Sequence, residues 1–143
     1  MLQDFISISQ VGKHAGESVT LKGWVYNHRS SGKIRFVILR DGSGYLQCVA
    51  FKGETPEEVF ARVDEATQES SVVIRGKIRE DKRAPGGCEC TIEDLQIVHK
   101  SPEYPIGKKE HGVDFLMSQR HLWLRSSRPH AVLRVRDEVC KAS

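Results

Sequence analysis

No stretch of the 143 residues approaches the ~18 consecutive apolar residues that a membrane span needs. The opening MLQDFISISQ has no basic n-region, and Asp4 interrupts what apolar character it has. A cytoplasmic address is therefore expected. Cysteine is sparse and unpaired in pattern: Cys48, Cys88, Cys90 and Cys140 form no C-x-x-C, and three of them sit in strand-like runs where a reduced thiol behaves as a small hydrophobe. Neither a zinc site nor a disulfide framework is expected. Walker A and GxGxxG loops are also missing, so no phosphate cradle of either kind is present. With 38% hydrophobic residues the chain can bury one core, which implies one domain plus an appendage.

The net charge is only +3, but it is unevenly spread. Residues 1–100 hold fourteen basic and fourteen acidic side chains. Within them, Ser18 to Arg40 carries Lys22, Arg29, Lys33, Arg35 and Arg40 with no acid, whereas Glu54 to Glu69 carries six acids against Arg62 alone. One surface is thus expected to attract a polyanion and another to repel it.

Five segments rich in β-branched and aromatic residues, 17–29, 33–41, 45–51, 71–79 and 88–98, are bounded by Gly, Ser and Pro and read as strands. Between the third and fourth, TPEEVFARVDEA reads as a helix: Thr55 as cap, Pro56 in the first turn, Glu58 completing a capping box, and Val59, Phe60 and Val63 as the apolar face. Five strands with a helix in that slot match an all-β dominated, five-stranded OB-fold barrel. Another small barrel or an open α+β sheet is the alternative.

Alternation sorts the faces. Val72, Ile74, Gly76 and Ile78 share one side of the fourth strand, leaving Arg75, Lys77 and Arg79 on the other. If Leu46, Cys48 and Ala50 point inward, Gln47 points out, and Cys88, Cys90 and Ile92 inward put Glu89 out; the second strand is apolar on both sides and its pattern leaves the phase open, Phe36 facing out if Val37 and Leu39 are core. An aromatic, an amide and a carboxylate on a basic barrel face suit single-stranded nucleic acid. Phe36 would stack a splayed base, Gln47 offers a donor and an acceptor to a uracil edge, and Glu89 accepts from guanine N1–H and N2–H. A loop-covered Phe, a solvated Gln and a cross-strand Glu–Arg pair are the plain alternatives.

GWVYNHRSSGKIRFVILRDGSGYLQ, REDKRAPGGCECTIEDLQIV and YPIGKKEHGVDFLMSQRHLWLR together resemble the N-terminal region of bacterial asparaginyl-tRNA synthetases, which are class IIb aminoacyl-tRNA synthetases. The resemblance covers essentially the whole chain, and the last of these segments favours the asparaginyl over the aspartyl branch. It implies that Phe36 stacks on the middle anticodon base, Gln47 reads uridine there, Glu89 reads the first-position guanine, and Arg29 contacts the anticodon backbone. Asn27, Lys33, Arg35, Arg75, Lys77 and Arg79 are the further expected RNA-backbone contacts. Gln47 and Glu89 are each expected to set the preference for their own letter independently of the other.

The resemblance divides the chain into an anticodon-binding domain, 1–100, a hinge, 101–117, and the opening of a class II catalytic domain in its motif 1 region, 118–143. Val132, Val135 and Val139 recur there at helical spacing, with Pro129 near the start. The class II motifs that hold ATP are absent, so no catalytic residue or metal ligand is expected in this chain. ATP and Mg2+ are expected for the full-length asparagine-tRNA ligase, which is also expected to be a homodimer and to bind tRNA(Asn). A stand-alone OB-fold tRNA- or single-strand-binding protein, the N-terminal part of an aspartyl-tRNA synthetase, and a protein-binding β-barrel are the rival readings.

Overall fold

A computed structural model describes residues 4–143. The chain divides into a unit running through Glu103 and a second unit, Tyr104–Ser143.

In the first unit, β1 (Ser18–Ser31), β2 (Ile34–Arg40), β3 (Tyr45–Phe51), β4 (Ser71–Glu80) and β5 (Cys88–His99) close into a barrel in the order β1-β2-β3-β5-β4. All pairings are antiparallel except the short parallel one between β3 and β5. This is the OB-fold barrel expected from the strand order, with α1 (Glu57–Glu65) between β3 and β4. The inward sets are those the alternation predicts: Val37, Leu39, Leu46, Cys48, Ala50, Val72, Ile74, Ile78, Cys90 and Ile92 are all essentially solvent-free.

Two local features make closure possible. A bulge between Val25 and Asn27 shifts the phase of β1, so that Val25 and His28 both pair with inward residues, Leu39 and Val37. At Gly76, opposite a bulge in β5 that leaves Glu93 out of the register, a Cβ would fall on the Thr91 carbonyl oxygen and lie 2.5 Å from Cys90 Sγ, so only glycine lets the two backbones approach this closely. In the β2–β3 turn, Asp41 Oδ1 accepts from Ser43 N–H (2.9 Å), Ser43 Oγ–H (2.7 Å) and Gly44 N–H (3.2 Å). Its Oδ2 accepts from Ile8 N–H (2.7 Å), tying the 3-10 helix Ile8–His14 to this turn.

The apolar face of α1, Val59, Phe60 and Val63, joins the barrel core, each side chain contributing about 1.5–3 kcal/mol of burial. The cap differs from expectation. Pro56 occupies the N-cap position, and Thr55 lies one residue earlier, where its Oγ1 accepts from Phe51 N–H (3.1 Å) instead of from the helix. Thr55 is spent closing the turn out of β3, so the capping box does not form.

The second unit holds α2 (Val113–Ser118), α3 (Arg120–Trp123) and α4 (Ser127–Ala142), with the Tyr104 hydroxyl donating to Leu122 O (3.0 Å). On α4, Val132, Val135 and Val139 are 60–65% exposed.

Candidate nucleic-acid interface

The strand register assembles two outward-facing rows that cross all five strands. The first runs Asn27, Ile38, Gln47, Glu89, Arg79; the second runs Arg29, Phe36, Val49, Thr91, Lys77. Adjacent rows on one face are two residues apart, about 7 Å. Residues from five separate segments of sequence therefore share one surface patch.

In the first row the polar groups bind one another. Gln47 Nε2 donates to Glu89 Oε2 (2.7 Å), and Arg79 Nη2 donates to Glu89 Oε1 (3.1 Å). Glu89 is left only 8% exposed although it points away from the core, while the Arg79 side chain stays half exposed. A carboxylate so enclosed needs these charge-assisted bonds. It has about four lone-pair sites, and two are taken. In the second row the Arg29 guanidinium lies 4.1 Å from the centre of the Phe36 ring, covering one face of it. Val49 is 1% exposed, and Thr91 Oγ1 is buried with no hydrogen-bond partner among the described residues.

Asn27, Arg29, Phe36, Gln47, Lys77, Arg79 and Glu89 thus lie together on these rows. Lys33 is in the β1–β2 turn, three residues before Phe36, where its carbonyl accepts from Lys52 N–H (2.8 Å). Two other expected contacts lie elsewhere. Arg35 neighbours Phe36 in sequence and so takes the opposite face of β2, paired with the inward Ala50. There its guanidinium binds the Asp64 carboxylate of α1 through Nε and Nη2, donates through Nη1 to Gly32 O (2.9 Å), and lies 4.7 Å from the Phe60 ring centre. Arg35 fastens the helix to the barrel. Arg75 is four residues from Arg79, about 13 Å along β4, and faces Glu93 at 4.0 Å.

The charge segregation in the sequence is partly undone by folding. Arg35 of the basic run meets Asp64 of the acidic segment, and Arg40 makes a two-point ion pair with Glu69 (3.0 and 2.9 Å), both side chains at 10% exposure or less. Trp24 and Tyr26 lie against the Arg40 guanidinium, and Tyr26 packs edge-on to Tyr45. What remains for an anion on these rows is Arg29 and Lys77, with Lys33 in the adjoining β1–β2 turn. Sequence reasoning passed over Lys82 and the 95%-exposed Arg83 in the β4–β5 loop. Their signal was available: this loop flanks the ligand face in OB-folds.

His28 falls between Asn27 and Arg29 but turns inward with Val37. Burial pushes its imidazole below the usual 6.5; the nearby Asp64 carboxylate opposes this and Arg35 adds to it. Its Nε2 has no hydrogen-bond partner among the described residues. Cys48, Cys88 and Cys90 are buried and Cys140 is exposed, all as free thiols. The Cys48 thiol is pushed up by its hydrogen bond with Cys90 and by burial.

Comparison with known proteins agrees with this geometry. The OB-fold nucleic acid binding domain family, tRNA_anti-codon, matches residues 19–101. The asparagine–tRNA ligase of Thermus thermophilus is 52% identical over 138 residues, 96% of this chain and 32% of that protein. The asparagine–tRNA ligase of Symbiobacterium thermophilum is 51% identical over 138 residues, again 96% of this chain and 32% of that protein. The crystal structure of asparaginyl-tRNA synthetase from Pyrococcus horikoshii complexed with asparaginyl-adenylate superposes with a TM-score of 0.88 at 32% identity, covering 99% of this chain and 33% of that one. The chain therefore spans about a third of the length of the curated relatives it matches. With a closed five-stranded barrel, a helix between β3 and β4, and a family match across the barrel, the chain belongs to the anticodon-binding family of OB-fold nucleic acid binding domains.

Proposed function

We propose that this chain is the anticodon-recognition part of an asparagine-tRNA ligase and that its ligand is the anticodon stem-loop of tRNA(Asn). The observation that carries the reading is the two-row patch, in which an aromatic, an amide and a carboxylate stand together on an OB-fold's outer face. Phe36 stacks the middle base. Gln47 meets the uracil edge there, accepting from N3–H and donating to a carbonyl oxygen. Glu89 has two lone-pair sites left, matching the two donors, N1–H and N2–H, on guanine at the first position. Adenine puts an acceptor at N1, facing a carboxylate that can only accept. Arg29, Lys33, Lys77, Lys82 and Arg83 follow the phosphates.

The full-length protein, in this proposal, attaches asparagine to tRNA(Asn) in the cytoplasm with ATP and Mg2+. The relatives at 51–52% identity carry the asparagine name, which favours this branch over the aspartyl one. Among the described residues no group of three or more His, Cys, Asp and Glu side chains is placed to hold a metal, and no helix is long and apolar enough to cross a membrane. Binding of RNA, not catalysis, is the task assigned to these residues. Tyr104–Ser143 belongs to the hinge and the start of a class II catalytic domain. The exposed valines of α4 support a homodimer contact in the full-length enzyme.

The test is titration of the 143-residue chain with RNA stem-loops. Affinity is expected to fall as salt rises, with a slope of about −0.7 per phosphate contact on single strands, and to favour G and U at the first two anticodon positions. Mixed with ATP, asparagine and tRNA, the same chain is expected to give no pyrophosphate exchange. Binding indifferent to salt and to the anticodon letters would overturn the proposal.

A further inference from the structure

A glutamine side chain is an ambiguous reader of bases. Its amide presents a donor and an acceptor side by side. In one orientation this matches uracil, with Oε1 toward N3–H; turned over, it matches cytosine, with Nε2 toward N3 and Oε1 toward the N4 amino group. The energy separating the two orientations must come from the surroundings. Here it comes from the neighbouring strand. Gln47 and Glu89 are register partners on β3 and β5, and the 2.7 Å contact between them admits only one arrangement, because a carboxylate accepts and cannot donate. Nε2 must face Glu89. Glu89 is held in turn by its register partner on β4, Arg79, through the second carboxylate oxygen.

We propose that Arg79, Glu89 and Gln47 form one reading unit in which Arg79 positions Glu89, and Glu89 both accepts from the first-position guanine and fixes the Gln47 amide in its uracil-reading orientation. This rests on the proposal that the two-row patch reads the anticodon, and it changes what that patch does. The two letters are not read independently. Glu89 is a specificity determinant for the middle letter, which it need not touch. Arg79 is a positioning residue, its charge directed at a side chain and not at phosphate. Loosening the carboxylate frees the amide to turn over, and cytosine becomes acceptable.

The experiment is a set of RNA stem-loops varied at the first letter (G or A) and the middle letter (U or C), titrated at one fixed salt concentration, then across salt for the G-U loop. Glu89→Gln keeps the shape of the side chain but can present a donor to Gln47. It is expected to lower both the G-over-A and the U-over-C preference, each by roughly tenfold. In that background, Gln47→Ala is expected to remove little further U-over-C preference. Arg79→Met is expected to erode both preferences while leaving the salt slope unchanged, with partial recovery in Arg79→Lys. A merely structural role would lower affinity for all four loops alike and leave the ratios untouched.

Thermal melts establish that each variant is folded. If Glu89→Gln does not fold, Arg79→Met carries the same test, since the Arg79 side chain is half exposed. The inference is overturned if Glu89→Gln reduces only the first-letter preference, or if Arg79→Met shallows the salt slope with both preferences intact. Either result leaves the anticodon reading standing, provided the wild-type chain prefers G and U. A wild-type chain without those preferences overturns both.

Discussion

Replacing Phe36 by alanine removes the ring on which the middle base is proposed to stack, and the structure sets the size of the effect. Loss of an aromatic platform costs about 1–3 kcal/mol per stacked base. One face of this ring is already occupied by the Arg29 guanidinium at 4.1 Å, a contact worth about 0.5–1 kcal/mol at an exposed site. A base arriving on that face displaces the guanidinium, and alanine removes the need to do so. The net loss is therefore expected toward the lower end, about 1–2 kcal/mol, or roughly five- to thirtyfold in Kd. Every base has a π-face, so the loss should be nearly the same with U, C, A or G in the middle. Phe36 lies outside the core cluster, so unfolding free energy should change by far less than the ~3–5 kcal/mol of a buried Phe→Ala. The assay is fluorescence anisotropy with four stem-loops differing at the middle letter, alongside urea denaturation of both proteins. An unchanged Kd, or a loss confined to one base, would refute the stacking argument. A loss of affinity that merely tracks unfolding would do the same.

Gly76→Ala is expected to destabilise the chain by at least about 1–3 kcal/mol, read as a lower urea midpoint, because the new methyl group meets the Thr91 backbone and the Cys90 sulfur. His28, held below 6.5 by burial, is expected to make stability fall as pH drops from about 6.5 to its depressed folded value, since the unfolded chain takes up the proton more readily there. His28→Gln should flatten that part of the stability-versus-pH curve in denaturant titrations. Among the four thiols, Cys140 is expected to react rapidly with a chromogenic disulfide reagent, while Cys48, Cys88 and Cys90 react only on unfolding. Four fast equivalents from the native chain would contradict the buried placement.

The sequence by itself determined the strands, the helix slot and the faces of the third, fourth and fifth strands. These depend on period-2 alternation and on turn residues, which are local: Val72, Ile74 and Ile78 must go one way if Arg75, Lys77 and Arg79 go the other, and the barrel shows them doing so. The same rule put Gln47 and Glu89 outward before any strand was paired, whereas β2 is apolar on both sides and only the barrel fixed its phase, with Val37 and Leu39 inside and Phe36 out. Alternation says which side of a strand a residue takes, but not what stands beside it. Only the tertiary structure decided that the acidic segment would fold back and neutralise Arg35 and Arg40, since Asp64 and Glu69 each lie 29 residues from their partners. The β1 bulge likewise changed the phase that simple alternation assigns, turning His28 inward. Thr55 is a residue type that caps helices, but its Oγ1 accepts from the backbone N–H of Phe51 at the end of β3 instead. The parallel pairing of β3 with β5 was equally invisible, because it joins residues 42 apart through backbone hydrogen bonds that any side chains could make. That pairing sets Gln47 against Glu89, and through it two side chains that the sequence presents as separate readers become hydrogen-bonded neighbours.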